Sequence, residues 1–470
     1  MKKFVFALMP LVFAAAAPAQ PAAEIVSGAG DRQATSITVY NDDLALVRER
    51  RRVSLPSGPV RLSLREVSAK MRPETALLRT AAGEPLGLVE QNFDFDLLTP
   101  AKLLEKYVGR EVTVLRPIGA SGEERRETAT VLAASGGVVL RFADRIETGI
   151  PGRIVYDSVP PNLRDLPTLS ILLERQAGGV REIELSYLTG GLSWSADYVA
   201  SLAADGRRMD LSGWITLTNR SGTTFENATM QFVAGSLNRV RAPALPRGAA
   251  TMSLAARAAP ADMAQEALLD YHLYSHDRPT SIADNQTKQL ALLSAGEIAV
   301  RREYRLSGAE HYYRDRVGLI GQKIKPSVFV EFDNKGGQLG RPLPGGIVRV
   351  YARDARGAAQ FVGEDRIEHT ARDETVRLRL GEAFDITADR RQTQWRKLGE
   401  TTSESTYRIE LRNAKDEAVT VRIVEPIPGD WEILQESHRS VRESARSAAW
   451  SVSVPAGSSA VLEYTARVRW

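Results

Sequence analysis

The chain has 470 residues, 43% hydrophobic and 26% charged, with 62 Lys and Arg against 58 Asp and Glu and no Cys. This length exceeds one ordinary core, and the composition excludes a disordered or collagen-like chain. The absence of Cys excludes disulfides, a Cys-anchored lipoprotein and thiol chemistry. A formal charge of only +4, with no basic run interleaved with aromatics, argues against nucleic acid as a partner.

Residues 1–19 read as a secretory signal. Lys2 and Lys3 form a basic start, Phe4–Ala17 is apolar, and Ala17-Pro18-Ala19 is a small-x-small site, so cleavage is expected before Gln20. Cleavage removes two Lys and no acid. No later run approaches the ~20 apolar residues of a transmembrane helix. The expected address is therefore the periplasm or the exterior of a bacterium. Residues 20–34 are Ala/Gly/Pro-rich and are expected to form a disordered leader.

From Ile37 strand follows strand, and the fold class is all-β: several antiparallel β-sandwich modules with a small inserted barrel-like β domain. An N-terminal β module spans 35–95, where Ser36–Tyr40, Leu44–Leu55 and Val60–Leu64 alternate with period two around the Pro56-Ser57-Gly58-Pro59 turn. A module at 96–165 opens on a helix over Leu97–Tyr107, with Thr99-Pro100 as N-cap and first helical residue. Short strands with Gly turns follow it and suggest the small barrel. A central sandwich domain covers 166–310, interrupted by an Ala/Pro-rich excursion at 241–262. A C-terminal sandwich region covers 311–470.

The stretch Leu185–Val233 is the most informative. Gly190-Gly191 breaks one alternation, Asp205-Gly206 makes a hairpin turn, and Asn219-Arg220-Ser221-Gly222 makes the next. Trp194, Tyr198 and Trp214 read as core packing because of their large apolar surface.

Few residues suggest chemistry. His272 and His276, in Asp-Tyr-His-Leu-Tyr-Ser-His-Asp, would share one face of a helix and could hold Zn²⁺. The segment lacks the Glu of H-E-x-x-H, and Tyr271 and Leu273 also suit a strand, so no metal or other cofactor is assigned. Ser193 and Ser195 flank Trp194 without the G-x-S-x-G of a nucleophile elbow. Asp94/Asp96 and Glu364/Asp365 are the carboxylate pairs a glycosidase could use. The Gly-rich run Lys335–Gly346 leads into a strand rather than a helix, which favours turns and a bulge over a phosphate loop.

Several stretches together resemble a bacterial exported family of unknown function whose shared domain accompanies mucoidy-inhibitor-like proteins. They are LSYLTGGLSWSADYVASL (185–202), ITLTNRSGTTFENATMQFVAG (215–235), DYHLYSHDRPTSIADNQTKQLALL (270–293), the segment 329–386 around LPGG, and YRIELRNAKDEAVTVRIVE (407–425). The match covers most of 170–470, and residues 37–64 resemble the β module that often precedes that domain. The resemblance implies an all-β secreted or envelope protein with no established catalytic residues. The leading expectation is thus an exported, non-enzymatic protein whose partner is an envelope protein or a polysaccharide. One alternative is an exported hydrolase of surface polysaccharide or peptide. The other, an outer-membrane β-barrel, rests on the aromatic end at Trp470, but the strands are short and carry Arg.

Overall fold

The structure, a computed structural model, describes residues 23–118, 123–160, 163–235, 264–268, 271–354 and 356–470. The expected signal segment and the excursion 241–262 lie outside these residues. Among the described residues the fold is all-β, in six separate sheets with no closed barrel, and no helix is long and apolar enough to cross a membrane.

The period-two segments form strands because alternation gives each one face to bury and one to leave wet. An eight-stranded sheet carries Arg32–Tyr40, Leu44–Leu55, Gly179–Thr189 and Phe225–Ala234 side by side with shorter edge strands. Leu44–Leu55 pairs with Gly179–Thr189 over its full length, from Ala45↔Thr189 to Leu55↔Gly179. The N-terminal strands therefore share a sheet with the region that begins at 166. Four-stranded and five-stranded sheets pack on it. One continuous core results, from Ile37 and Val39 through Trp194 and Ile215 to Leu378. A second core, including Tyr304, Ile409, Trp450 and Val468, lies between the six-stranded and five-stranded sheets of the C-terminal region.

Two expectations are corrected and one open alternative is decided. Residues 23–34 are ordered rather than a loose leader: Ala23–Ser27 pairs in parallel with Gly58–Arg65, and Arg32–Tyr40 is a strand. Arg51 donates to the Ser27 carbonyl at 2.9 Å, and Arg164 pairs with Glu24 at 2.9 Å, so charged groups elsewhere pin this segment. The barrel-like domain is an open five-stranded sheet around a small core of Leu104, Tyr107, Val112, Val114, Leu140 and Phe142. Its helix is Pro100–Lys106, capped by Thr99 Oγ1, which accepts from the Lys102 N–H at 3.2 Å. Finally, of the helix and strand readings left open around 271–275, the strand is the one observed, over Tyr271–Ser275.

Parallel pairing also joins Leu192–Leu202 to Gly346–Arg353, across a connection of more than one hundred residues in sequence. That long crossover, which parallel pairing demands, brings distant segments onto the face described next.

Candidate ligand-binding sheet face

The strands Leu192–Leu202 and Arg208–Asn219 form the hairpin read from the sequence, with Gly206 at φ 64° in its turn. Their register pairs Trp194 with Leu217 and Asp197 with Trp214. Because side chains alternate, this sorts the hairpin into two faces. Inward go Trp194, Ala196, Tyr198, Ala200 and Leu202 with Leu211, Ile215 and Leu217, all buried. Trp194 meets Phe232 edge-on at 5.7 Å. The Tyr198 hydroxyl donates to the Pro344 carbonyl at 2.8 Å, and burial pushes its pKa well above the ordinary phenol range.

Trp214 is on the other side. Its neighbours there are Asp197 and Ala291 across the sheet and Ser212 and Thr216 along its own strand, and it is only half-buried. The expectation that it packs in the core is corrected, while Trp194 and Tyr198 are core residues.

The outer face continues across three more strands. In Gly346–Arg353, Ile347 pairs with Asp197, Arg349 with Val199 and Tyr351 with Ser201. In the edge strand Ala359–Ile367, Arg366, Glu364 and Phe361 stand opposite Ile347, Arg349 and Tyr351. On the far side, Gln286–Ala299 adds Thr287 and Gln289 opposite Thr218 and Thr216.

Asp197 is the electrostatic centre. One carboxylate oxygen accepts from Thr216 Oγ1 at 2.7 Å and from Ser195 Oγ at 3.3 Å; the other accepts from Arg349 Nη1 at 2.9 Å. Arg349 Nε lies 3.4 Å from Glu364, so one guanidinium bridges two carboxylates. Tyr351 and Phe361 meet edge-on at 5.7 Å, with Phe361 55% exposed. From the Trp214 row to the Tyr351 row is about 13 Å along the strands and about 10 Å across them. The face thus has an aromatic group at each end of a strip of fixed hydrogen-bonding and charged side chains.

The sequence-derived candidates distribute unevenly. Ser193, Ser195 and Glu364 lie on this face, brought together by register. Asp365 points away and accepts from the Arg379 N–H at 2.7 Å. Asp94 engages Arg164 and Ser170, whereas Asp96 pairs with Lys106 at 2.8 Å, a hydrogen bond that lowers its pKa. These two do not act on one point. His272 lies in the Tyr271–Ser275 strand and His276 just beyond it. Four residues of extended chain span about 13 Å, against about 6 Å for the same spacing on a helix. The helical spacing on which a shared metal would rest is therefore absent. Burial lowers the His276 pKa, and the His276 backbone N–H donates to the Met230 carbonyl at 3.0 Å.

The Gly-rich run borders a separate cleft of about 670 Å³ between Ala295–Arg301 and Asp333–Leu339. Arg301 clamps Asp333 through bonds of 3.1 and 3.0 Å and holds its carboxyl far below the ordinary range. Lys335 approaches the same carboxylate at 3.8 Å.

Sequence reading missed two buried ion pairs. Arg51 and Glu49, both fully buried, meet at 2.6 Å in the first core. Arg390 and Glu425, each 1% exposed, meet at 2.9 Å in the second. Tyr313 bridges towards Glu425 at 3.4 Å and towards Tyr464 at 2.9 Å. Burial raises the Glu425 pKa while Arg390 opposes it. A signal was present: Val47, Glu49, Arg51 and Val53 share one strand face, so both charges fall at inward positions. Both pairs are sealed from solvent, so removing one partner would strand a buried charge.

Comparison with curated proteins gives no match. The model of a domain of unknown function, DUF4139, matches residues 183–470. The match begins in the strand before the hairpin and includes all five strands of the outer face. The chain belongs to the DUF4139 family.

Proposed function

We propose that this is an exported, non-catalytic protein of the bacterial envelope that holds an envelope component on the outer face around Asp197. The observation that carries the reading is the prearranged strip itself. Asp197, Arg349 and Glu364 are fixed by one another and by Ser195 and Thr216, so little side-chain freedom remains to be lost when a ligand arrives. Export is supported by the basic, apolar and small-x-small segments of residues 1–19. Kinship with mucoidy-inhibitor-like proteins belongs to the same proposal and is supported by the stretches within 185–235 and 329–386.

The test is co-sedimentation of the purified chain, from Gln20 onward, with washed envelope fragments. Retention is expected, and Trp214→Ala and Phe361→Ala should each weaken it. Retention that both variants leave untouched would remove the face from the proposal. Release of soluble sugar or peptide from the fragments, lost in Asp197→Asn, would replace binding with hydrolysis.

A further inference from the structure

Resting on that reading, we infer that the ligand of this face is an uncharged polysaccharide strand, laid diagonally from Trp214 to the Tyr351–Phe361 pair. Three features select this chemistry over a protein partner. The two aromatic groups are separated by charged and hydroxyl side chains, whereas the buried centre of a protein interface is depleted of charge. Burying Arg349 and Glu364 under an apolar protein surface would cost desolvation without return. A pyranose ring offers what the strip lacks: an apolar C–H face to lie on an indole or phenyl ring, and a rim of hydroxyls that donate and accept. Asp197, with both oxygens already accepting, and Arg349, with two carboxylates in reach, present the two kinds of partner those hydroxyls need.

Charge balance decides between glycans. Between the Trp214 and Tyr351 rows the acids Asp197, Asp210 and Glu364 outnumber Arg349 and Arg366, so the strip attracts no polyanion. The diagonal, about 13 Å along and about 10 Å across the strands, calls for an extended chain of several sugar units rather than a monosaccharide.

The experiment titrates the chain from Gln20 onward with three soluble uncharged hexasaccharides, built from glucose, mannose and N-acetylglucosamine, and with a polyuronate as acidic control. Calorimetry reads binding. At least one hexasaccharide should bind, with the polyuronate weaker. Trp214→Ala and the double variant Tyr351→Ala/Phe361→Ala should each weaken binding at least about tenfold. Trp214→Phe, which keeps a flat ring, should recover most of that loss. Near-ultraviolet circular dichroism of each variant separates loss of the site from loss of the fold.

No binding by any hexasaccharide overturns the inference, as do tighter binding of the polyuronate and binding indifferent to all variants. Envelope retention that depends on Trp214 without any hexasaccharide binding leaves the proposed function standing and ends this inference. In that outcome a protein partner takes the glycan's place.

Discussion

Trp194 and Trp214 lie on neighbouring strands of one hairpin, and the structure gives them opposite surroundings. Trp194 is 6% exposed and packs on Phe232 and Tyr274 inside the first core. Trp214 stands half-buried among Ser212, Thr216, Asp197 and Ala291. The two residues have the same side chain and the same local alternation. They differ in parity relative to the register Trp194↔Leu217, and a slip of one residue would exchange their faces. A large aromatic residue within a strand therefore identifies core or outer face only once the pairing is known.

The comparison can be broken from either side. Trp194→Ala should have the largest effect, destabilising the first core by about 3–5 kcal/mol through lost burial and an unfilled cavity. A lowered urea midpoint would show this, and an unchanged midpoint would contradict the inner placement.

Gly346→Ala comes next. A Cβ there would lie 2.2 Å from the Ala196 carbonyl oxygen on the parallel partner strand, so the two strands must separate. The expected cost is about 1–3 kcal/mol. Amide exchange should accelerate along Leu192–Leu202 and Gly346–Arg353 rather than throughout the chain.

Tyr198→Phe sharpens the inner side by removing only a hydroxyl. The Pro344 carbonyl loses its donor, and stability should fall by about 1 kcal/mol in the same urea experiment. A stabilised variant would mean the bond contributes nothing.

Trp214→Ala should cost about 1 kcal/mol, well below Trp194→Ala, since the half-buried ring loses packing without opening an enclosed cavity. It is also the variant expected to weaken ligand binding. A loss comparable to that of Trp194→Ala would make the outer face a second core surface.

Much of the fold was legible in the sequence. Period-two alternation identified the strands, Asp205-Gly206 identified a hairpin, and Thr99-Pro100 located the start of the single described α-helix. The misreadings share a cause. Ala23–Ser27 looks unstructured because its ordering comes from parallel pairing with Gly58–Arg65 and from Arg51 and Arg164, all distant in sequence. The Tyr271–Ser275 strand has apolar spacing that fits both periods over so short a length, and its neighbour Phe225–Ala234 settles the matter. The candidate face was the least legible. Its residues come from 195–218, 287–291 and 347–366, each ordinary taken alone.

What the sequence determined by itself is local: which segments extend, where they turn, and that polar and apolar side chains alternate along them. Those properties follow from backbone sterics and period-two geometry, which operate within a few residues. The tertiary structure alone decided which strands became neighbours and in what register. From that came the buried partners of Glu49 and Arg390, and the meeting of Trp214, Asp197, Arg349 and Phe361 on one wet face. Strand pairing is nearly indifferent to side-chain identity along the backbone, so register is chosen by the sum of burial over the whole core, which no short stretch contains.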